Sequence, residues 1–228
     1  MLAALVLIFL IILLFGPQLW AGHVLKHYST PIEAMPGTGG ELAVHLLKRY
    51  GIDGVSVERS ERQDDHYNPE ERIIRLAENI HDGKSLTAVV VTAHEVGHAL
   101  QHKYGYRPFF VRWQLARFIA FAEKIASLLL IAFPFAAMLT RVPVIGLFVL
   151  LCGIAIMLLP VVFHLVTLPV ELDASFRRAL PLLIEGEYIP ESAVSIAKKI
   201  LTAAALTYLA ASLASVLNFY RWIAILRH

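Results

Sequence analysis

The sequence predicts a mainly α-helical membrane protein, with four transmembrane helices and a small α+β unit at the membrane face. Three observations carry this prediction. Hydrophobic residues make up 57% of the 228, charged residues only 17%, and the mean hydropathy is +0.64; soluble domains average about 45–50% apolar and about 25% charged. The apolar excess is gathered into long runs with few charges rather than spread evenly. A polar stretch between the first two runs holds the pattern of short helices and strands expected of a compact unit. The length is that of one domain. A net charge of +2, with no basic arm and no block of like charge, excludes a nucleic-acid partner. The single cysteine, Cys152, excludes an intrachain disulfide and any Cys-based metal site, and fits a reducing compartment.

The first run, residues 1–20, has no cationic start and no small-residue cleavage site, so it reads as a retained span rather than a signal peptide. Residues 21–124 form the polar region. Within it, Pro and Gly between Ser29 and Gly40 mark a loop. Thr38 is placed to cap a helix through Glu41–Lys48 that ends near Gly51. Gly54–Glu58 alternates like a short strand; Asn68-Pro69-Glu70-Glu71 looks like a helix start, yet Arg72–Leu76 could equally be a strand before the Asp82-Gly83 turn, the reading slightly favoured. Ser85 opens a strongly apolar helix over Leu86–His102. Residues 125–168 are expected to form a transmembrane hairpin turning at Arg141-Val142-Pro143. A polar insert spans 169–199, and a fourth transmembrane helix with a short tail spans 200–228. The hairpin would return the insert to the side of the polar region. Together these two hold 17 of the 20 Lys and Arg residues, which predicts that they face the cytoplasm.

Chemistry concentrates in His94-Glu95-Val96-Gly97-His98. Two histidines four residues apart on a helix lie about 6 Å apart on one face, within reach of one ion. Zinc accepts imidazole nitrogen and leaves a position for water, whose pKa it lowers from about 15.7 towards about 7. A glutamate beside the first histidine suits proton transfer from that water to a leaving amine. HExxH alone also fits a helix with two solvated histidines. The preceding Thr87–Ala93 is apolar on nearly every face, however, and burying two histidines and a glutamate there costs free energy unless something satisfies them. Zn2+ would. His102 lies about 12 Å along the helix from His94, too far to share the ion. Gln101 and Tyr104 stand where a metzincin has Gly and His. Glu171 or Asp173, which follow the hairpin, remain as sources of the third ligand; on a regular helix only one can face the metal. His164, deep in the third run, reads as a packed neutral histidine.

Ala93–Gln101, with Asp65-His66-Tyr67-Asn68-Pro69 upstream and Glu171-Leu172-Asp173-Ala174-Ser175-Phe176-Arg177-Arg178-Ala179 downstream, resembles the bacterial YugP-type neutral zinc membrane metallopeptidases over almost the whole chain. The resemblance implies a zincin-like fold and zinc-dependent peptide-bond hydrolysis. It is similar, more distantly, to membrane zincins in which HExxH is followed by ExxxD. By that pattern His94, His98 and Glu171 are the metal ligands and Glu95 the catalytic acid–base. Ser175 stands where those enzymes carry an aspartate bonded to a ligand histidine, and Asp173 or Asp65 is the expected substitute. Asp65, His66, Tyr67 and Asp173 are thus candidates for supporting the ligands or touching substrate, and the Asp65–Tyr67 trio could equally be a folded turn. The expected partners are a peptide or membrane-protein substrate and the lipid bilayer. Two other classes compete: a non-catalytic zinc-binding membrane protein acting in assembly or scaffolding, and a transporter with an accidental HExxH. An intact Glu95 speaks against the first, and a large polar region against the second.

Overall fold

The computed structural model describes residues 2–33, 35–122, 159 and 162–207. Helix α1 (Leu2–His27) continues past the expected end of the first apolar run. Ala21 and Val24 on its last turns are buried. Thr87 then ties α1 to the motif helix: its hydroxyl donates to the Leu25 carbonyl at 2.9 Å and its amide to the Tyr28 carbonyl at 3.2 Å. Helix α2 (Gly39–Arg49) starts in a full capping box, with the Thr38 hydroxyl accepting from the Glu41 amide and the Glu41 carboxylate accepting from the Thr38 amide. Its buried Ala43, Leu46 and Leu47 recur at helical spacing.

Three short strands follow: β1 (Ser56–Arg59), β2 (His66–Asn68) and β3 (Ile73–Leu76). They form one sheet in the order β1-β3-β2, with β1 parallel and β2 antiparallel to β3. β1 overlaps the expected Gly54–Glu58 strand, β3 agrees with the strand reading of Arg72–Leu76, and β2 overlaps the Asp65–Tyr67 trio, for which a turn is one of two readings. Ile74 lies opposite both Val57 and Tyr67, and Ile74 and Leu76 present the buried face of β3 to the helices. Each such side chain contributes about 1.5–3 kcal/mol through burial. After the single-turn α3 (Glu78–His81), helix α4 (Leu86–Lys103) carries the motif. Ser85 caps it, its hydroxyl accepting from the Ala88 amide at 3.1 Å.

Helix α5 covers 107–122 and α6 covers 162–172. α6 runs without a break into a π-helical segment, Asp173–Ala179, in which the Leu180 amide bonds the Ser175 carbonyl five residues back. Helix α7 (Leu180–Glu185), a 3₁₀ turn (Glu191–Ala193) and helix α8 over 194–207 complete the described chain. The π segment and α2 both pack extensively on α4, which is buried along most of its length and is the spine of the described unit.

The expectation of four transmembrane helices is corrected here. Among the described residues no helix is long and apolar enough to cross a membrane; residues 125–158, most of the expected hairpin, and 208–228, most of the expected fourth span, lie outside the described residues. The physical reason shows at the start of the fourth apolar run, which is buried in the helical and sheet unit. Ile200, Leu201, Ala203 and Ala205 on α8 are at most 5% exposed. Their apolarity is used in packing the unit itself. Without four spans, the cation count no longer assigns a side of a membrane.

Candidate metal centre

On α4, residues 94, 97, 98 and 101 share one face by helical spacing. That face reads His94, Gly97, His98, Gln101 and meets the start of the π segment. The helices approach backbone to backbone: a Cβ on Gly97 would sit 2.8 Å from the Ala174 carbonyl oxygen. Glycine at this position lets the two histidines reach the groups opposite.

Glu171, 77 residues further along the chain, places its Oε2 3.1 Å from His94 Nε2 and 3.5 Å from His98 Nε2. One ligand atom from each of the three residues lies within 4.8 Å of the others. All three residues are buried, Glu171 to 1% exposure. Burial alone would raise the Glu171 carboxyl, but His98 and His94, by charge and hydrogen bond, hold it well below the usual range. Burial opposes charge on His94, and the Glu171 carboxylate overcomes this and raises it.

The remaining nitrogens of both imidazoles are committed. Gln101, fully buried, donates through Nε2 to the Val170 carbonyl at 2.8 Å and to Asp173 Oδ2 at 2.9 Å. These partners fix the amide's orientation, so Oε1, 2.9 Å from His98 Nδ1, accepts its proton. His98 therefore turns the lone pair of Nε2 towards Glu171. Ser175 Oγ lies 3.0 Å from His94 Nδ1, within hydrogen-bonding distance of the ring's far side. Asp173 is held in turn by Arg178 Nε at 2.7 Å. Two imidazole nitrogens and a carboxylate oxygen, oriented by bonds at the far side of each ring, are the donor set of a catalytic zinc site with one position open, and the residues fit that ion.

Glu171, not Asp173, is thus the acid beside the histidines. Asp173 reaches His98 only through Gln101, and Ser175 itself contacts His94, so the expected substitution by Asp173 or Asp65 for the missing aspartate is corrected. A serine at hydrogen-bonding distance needs no carboxylate to replace it. Glu95, 5% exposed, lies close enough to raise both Asp65 and His94. Asp65 precedes β2 and accepts the Ala77 amide at 2.8 Å; burial, with a smaller contribution from Glu95, pushes its carboxyl up to about 6. His66 is half-buried, with Nδ1 3.5 Å from Asp64 Oδ2. Tyr67 points away from the three ligands and bonds His102 Nδ1 at 2.8 Å, which accounts for His102 without a metal. His164 Nδ1 is buried and has no hydrogen-bond partner among the described residues. Gln101 and Arg112, whose Nη1 donates to Glu171 Oε1 at 2.8 Å, are the contributors that sequence reasoning missed. Only the position of Gln101, three residues after His98 on the motif face, could have revealed it.

A family model described as "Putative neutral zinc metallopeptidase" matches residues 3–227. The chain belongs to that zinc metallopeptidase family. It is 37% identical over 224 residues to a Bacillus subtilis (strain 168) protein named "Putative membrane protease YugP", covering 96% of this chain and 95% of the relative. No solved structure matches it significantly. The family assignment agrees with the donor set that this member's own side chains assemble.

Proposed function

We propose that this family member hydrolyses peptide bonds in peptides or membrane proteins at a membrane, with His94, His98 and Glu171 holding zinc and Glu95 moving the proton. The observation that carries the proposal is the convergence of three buried donors, His94, His98 and Glu171, with a second carboxylate, the buried Glu95, next to His94 on the same helix. Zinc bound there supplies Lewis acidity towards the scissile carbonyl and towards water. Glu95 accepts a proton from the attacking water and passes it to the nitrogen of the leaving amine. Gln101, accepting from His98 Nδ1, leaves Nε2 of that ring unprotonated for the metal, and Ser175 would do the same for His94 by accepting from its Nδ1. Asp65, near enough to Glu95 to feel its charge, and His66, the first residue of β2, are the residues assigned here to contact with substrate. A membrane setting is supported by the name of the relative and by large apolar side chains left exposed: Ile12, Phe15 and Leu19 on α1, and Val111, Phe118 and Phe121 on α5.

Glu95→Gln is the decisive variant, because it keeps the ligands and the shape and removes the proton carrier. Purified in detergent and assayed on an unstructured peptide, it should retain one zinc per chain and lose at least about a hundredfold in kcat, as expected when a general acid–base is removed. Unchanged cleavage at full zinc occupancy would leave a zinc-binding protein without this catalytic mechanism.

A further inference from the structure

The two oxygens of Glu171 have different partners. Oε2 faces His94 and His98, whereas Oε1 is 2.8 Å from Arg112 Nη1. A carboxylate left to itself can bind a metal through one oxygen or through both. Here a guanidinium, permanently charged and planar, occupies one of them.

Arg112 is brought to this position by its helix. Three residues earlier on α5, Phe109 is 5% exposed, and its ring centroid lies 6.3 Å from that of His98 and 5.8 Å from that of His102. This packing registers α5 against the motif helix. The next arginine on α5, Arg117, pairs at the surface with Glu70 and is largely exposed. Arg112 alone among the α5 arginines reaches a fully buried carboxylate, with 27% of its side chain still exposed.

We propose that Arg112 is a positioning residue of the metal centre, pinning Glu171 to donation through Oε2 alone and keeping open the coordination position that Oε1 would otherwise take. The inference rests on the reading of His94, His98 and Glu171 as the zinc site. It assigns to Arg112 the choice of oxygen, and with it the number of protein ligands.

Cobalt substitution tests this, because four-coordinate Co2+ absorbs visible light several-fold more strongly than five-coordinate Co2+. The wild type, Arg112→Ala, Arg112→Gln and Glu171→Ala proteins are purified, loaded with Co2+ and compared for metal per chain, visible absorption, circular dichroism and peptidase kinetics. Arg112→Ala should bind one cobalt per chain with a band several-fold weaker than wild type. On zinc reloading its kcat should fall by about tenfold or more, the usual consequence of removing a group that supports a metal ligand. Arg112→Gln, whose amide can still donate to Oε1, should keep most of the wild-type band; if Arg112→Ala does not fold it carries the test, since a folded Arg112→Gln protein with a band several-fold weaker than wild type would overturn the hydrogen bond to Oε1 as what holds the coordination number. Wild-type absorption and kcat in both Arg112 variants would overturn the proposal, and so would loss of cobalt from a folded Arg112→Ala protein. A wild type that binds no cobalt, or Glu171→Ala binding it unchanged, would instead overturn the metal-site reading beneath it.

Discussion

Asp65 shows how a single buried carboxyl ties the site to stability. Its pKa rises from 3.8 to about 6, chiefly through burial. A folded-state pKa above the unfolded value means that the fold favours the neutral acid. Below about pH 4 both states hold the proton and there is no penalty. Between about pH 4 and pH 6 the unfolded chain releases its proton first, and above pH 6 the whole penalty, about 3 kcal/mol for two units, acts against folding. An asparagine in its place cannot ionise and can still accept the Ala77 amide through its oxygen. Asp65→Asn should therefore raise the urea midpoint at pH 8 and lose that advantage at pH 4; an equal gain at both pH values would show that the charge of Asp65 is not what costs stability. Residues on the motif helix were the most legible in the sequence, since helical spacing alone joins His94 to His98. Glu171 was left beside Asp173 by spacing and favoured by resemblance, and the fold places it on the histidines. Ser175 and Arg112 could not be read in this way. A serine has many uses, and an arginine on an amphipathic helix looks like any solvated cation until the partner 59 residues away is known.

At the scale of elements, the decisive contact is the close approach of α4 to the π-helical segment. A regular α-helix from Glu171 would follow the expected course, but the segment from Asp173 to Ala179 takes wider turns. Glu171 and Ser175, four residues apart, address opposite nitrogens of the one ring, His94. No periodicity in the sequence announces a π segment, because its hydrogen bonds form only where tertiary contacts favour them; such segments gather at functional sites. The short β2 strand was hidden for a related reason, since three residues have no readable alternation and owe their conformation to pairing with β3. α2, β1, β3 and α4 were legible because caps and periodicity are local. Gly97 permits the helix approach, so Gly97→Ala is the element-scale test. The added methyl would meet the Ala174 carbonyl oxygen at 2.8 Å and must push the segment away. It should cost about 1–3 kcal/mol by overpacking, outweighing the roughly 1 kcal/mol that alanine gains over glycine in a helix. Zinc affinity, measured by chelator competition, should fall with it. A more stable protein with unchanged affinity would mean that the two helices are free to separate without disturbing the ligands.

For the molecule as a whole, the metal centre joins parts of the chain that are far apart in sequence, and this makes metal binding a property of the folded state. Hydropathy misled at this scale, because it counts apolar residues without regard to what buries them; residues such as Ile200 and Leu201 are taken up by the same core that surrounds the site. That core also holds His94, His98, Glu95 and Glu171 at 9% exposure or less, with Arg112 the cation paired directly to Glu171. An unfolded chain scatters these ligands and binds zinc weakly. Zinc at a hundred times its dissociation constant should then stabilise the fold by about 2.7 kcal/mol, or about 5–10 °C in Tm for a domain of this size. Thermal unfolding in detergent with chelator and with added zinc measures the shift directly. Glu95→Gln should show the full shift, because it keeps every ligand, whereas Glu171→Ala should lose most of it. The same zinc response in Glu171→Ala as in wild type would place the stabilising ion elsewhere, for which the exposed histidine pair His23 and His27 on α1, stacked at 6.1 Å, would be the first place to look.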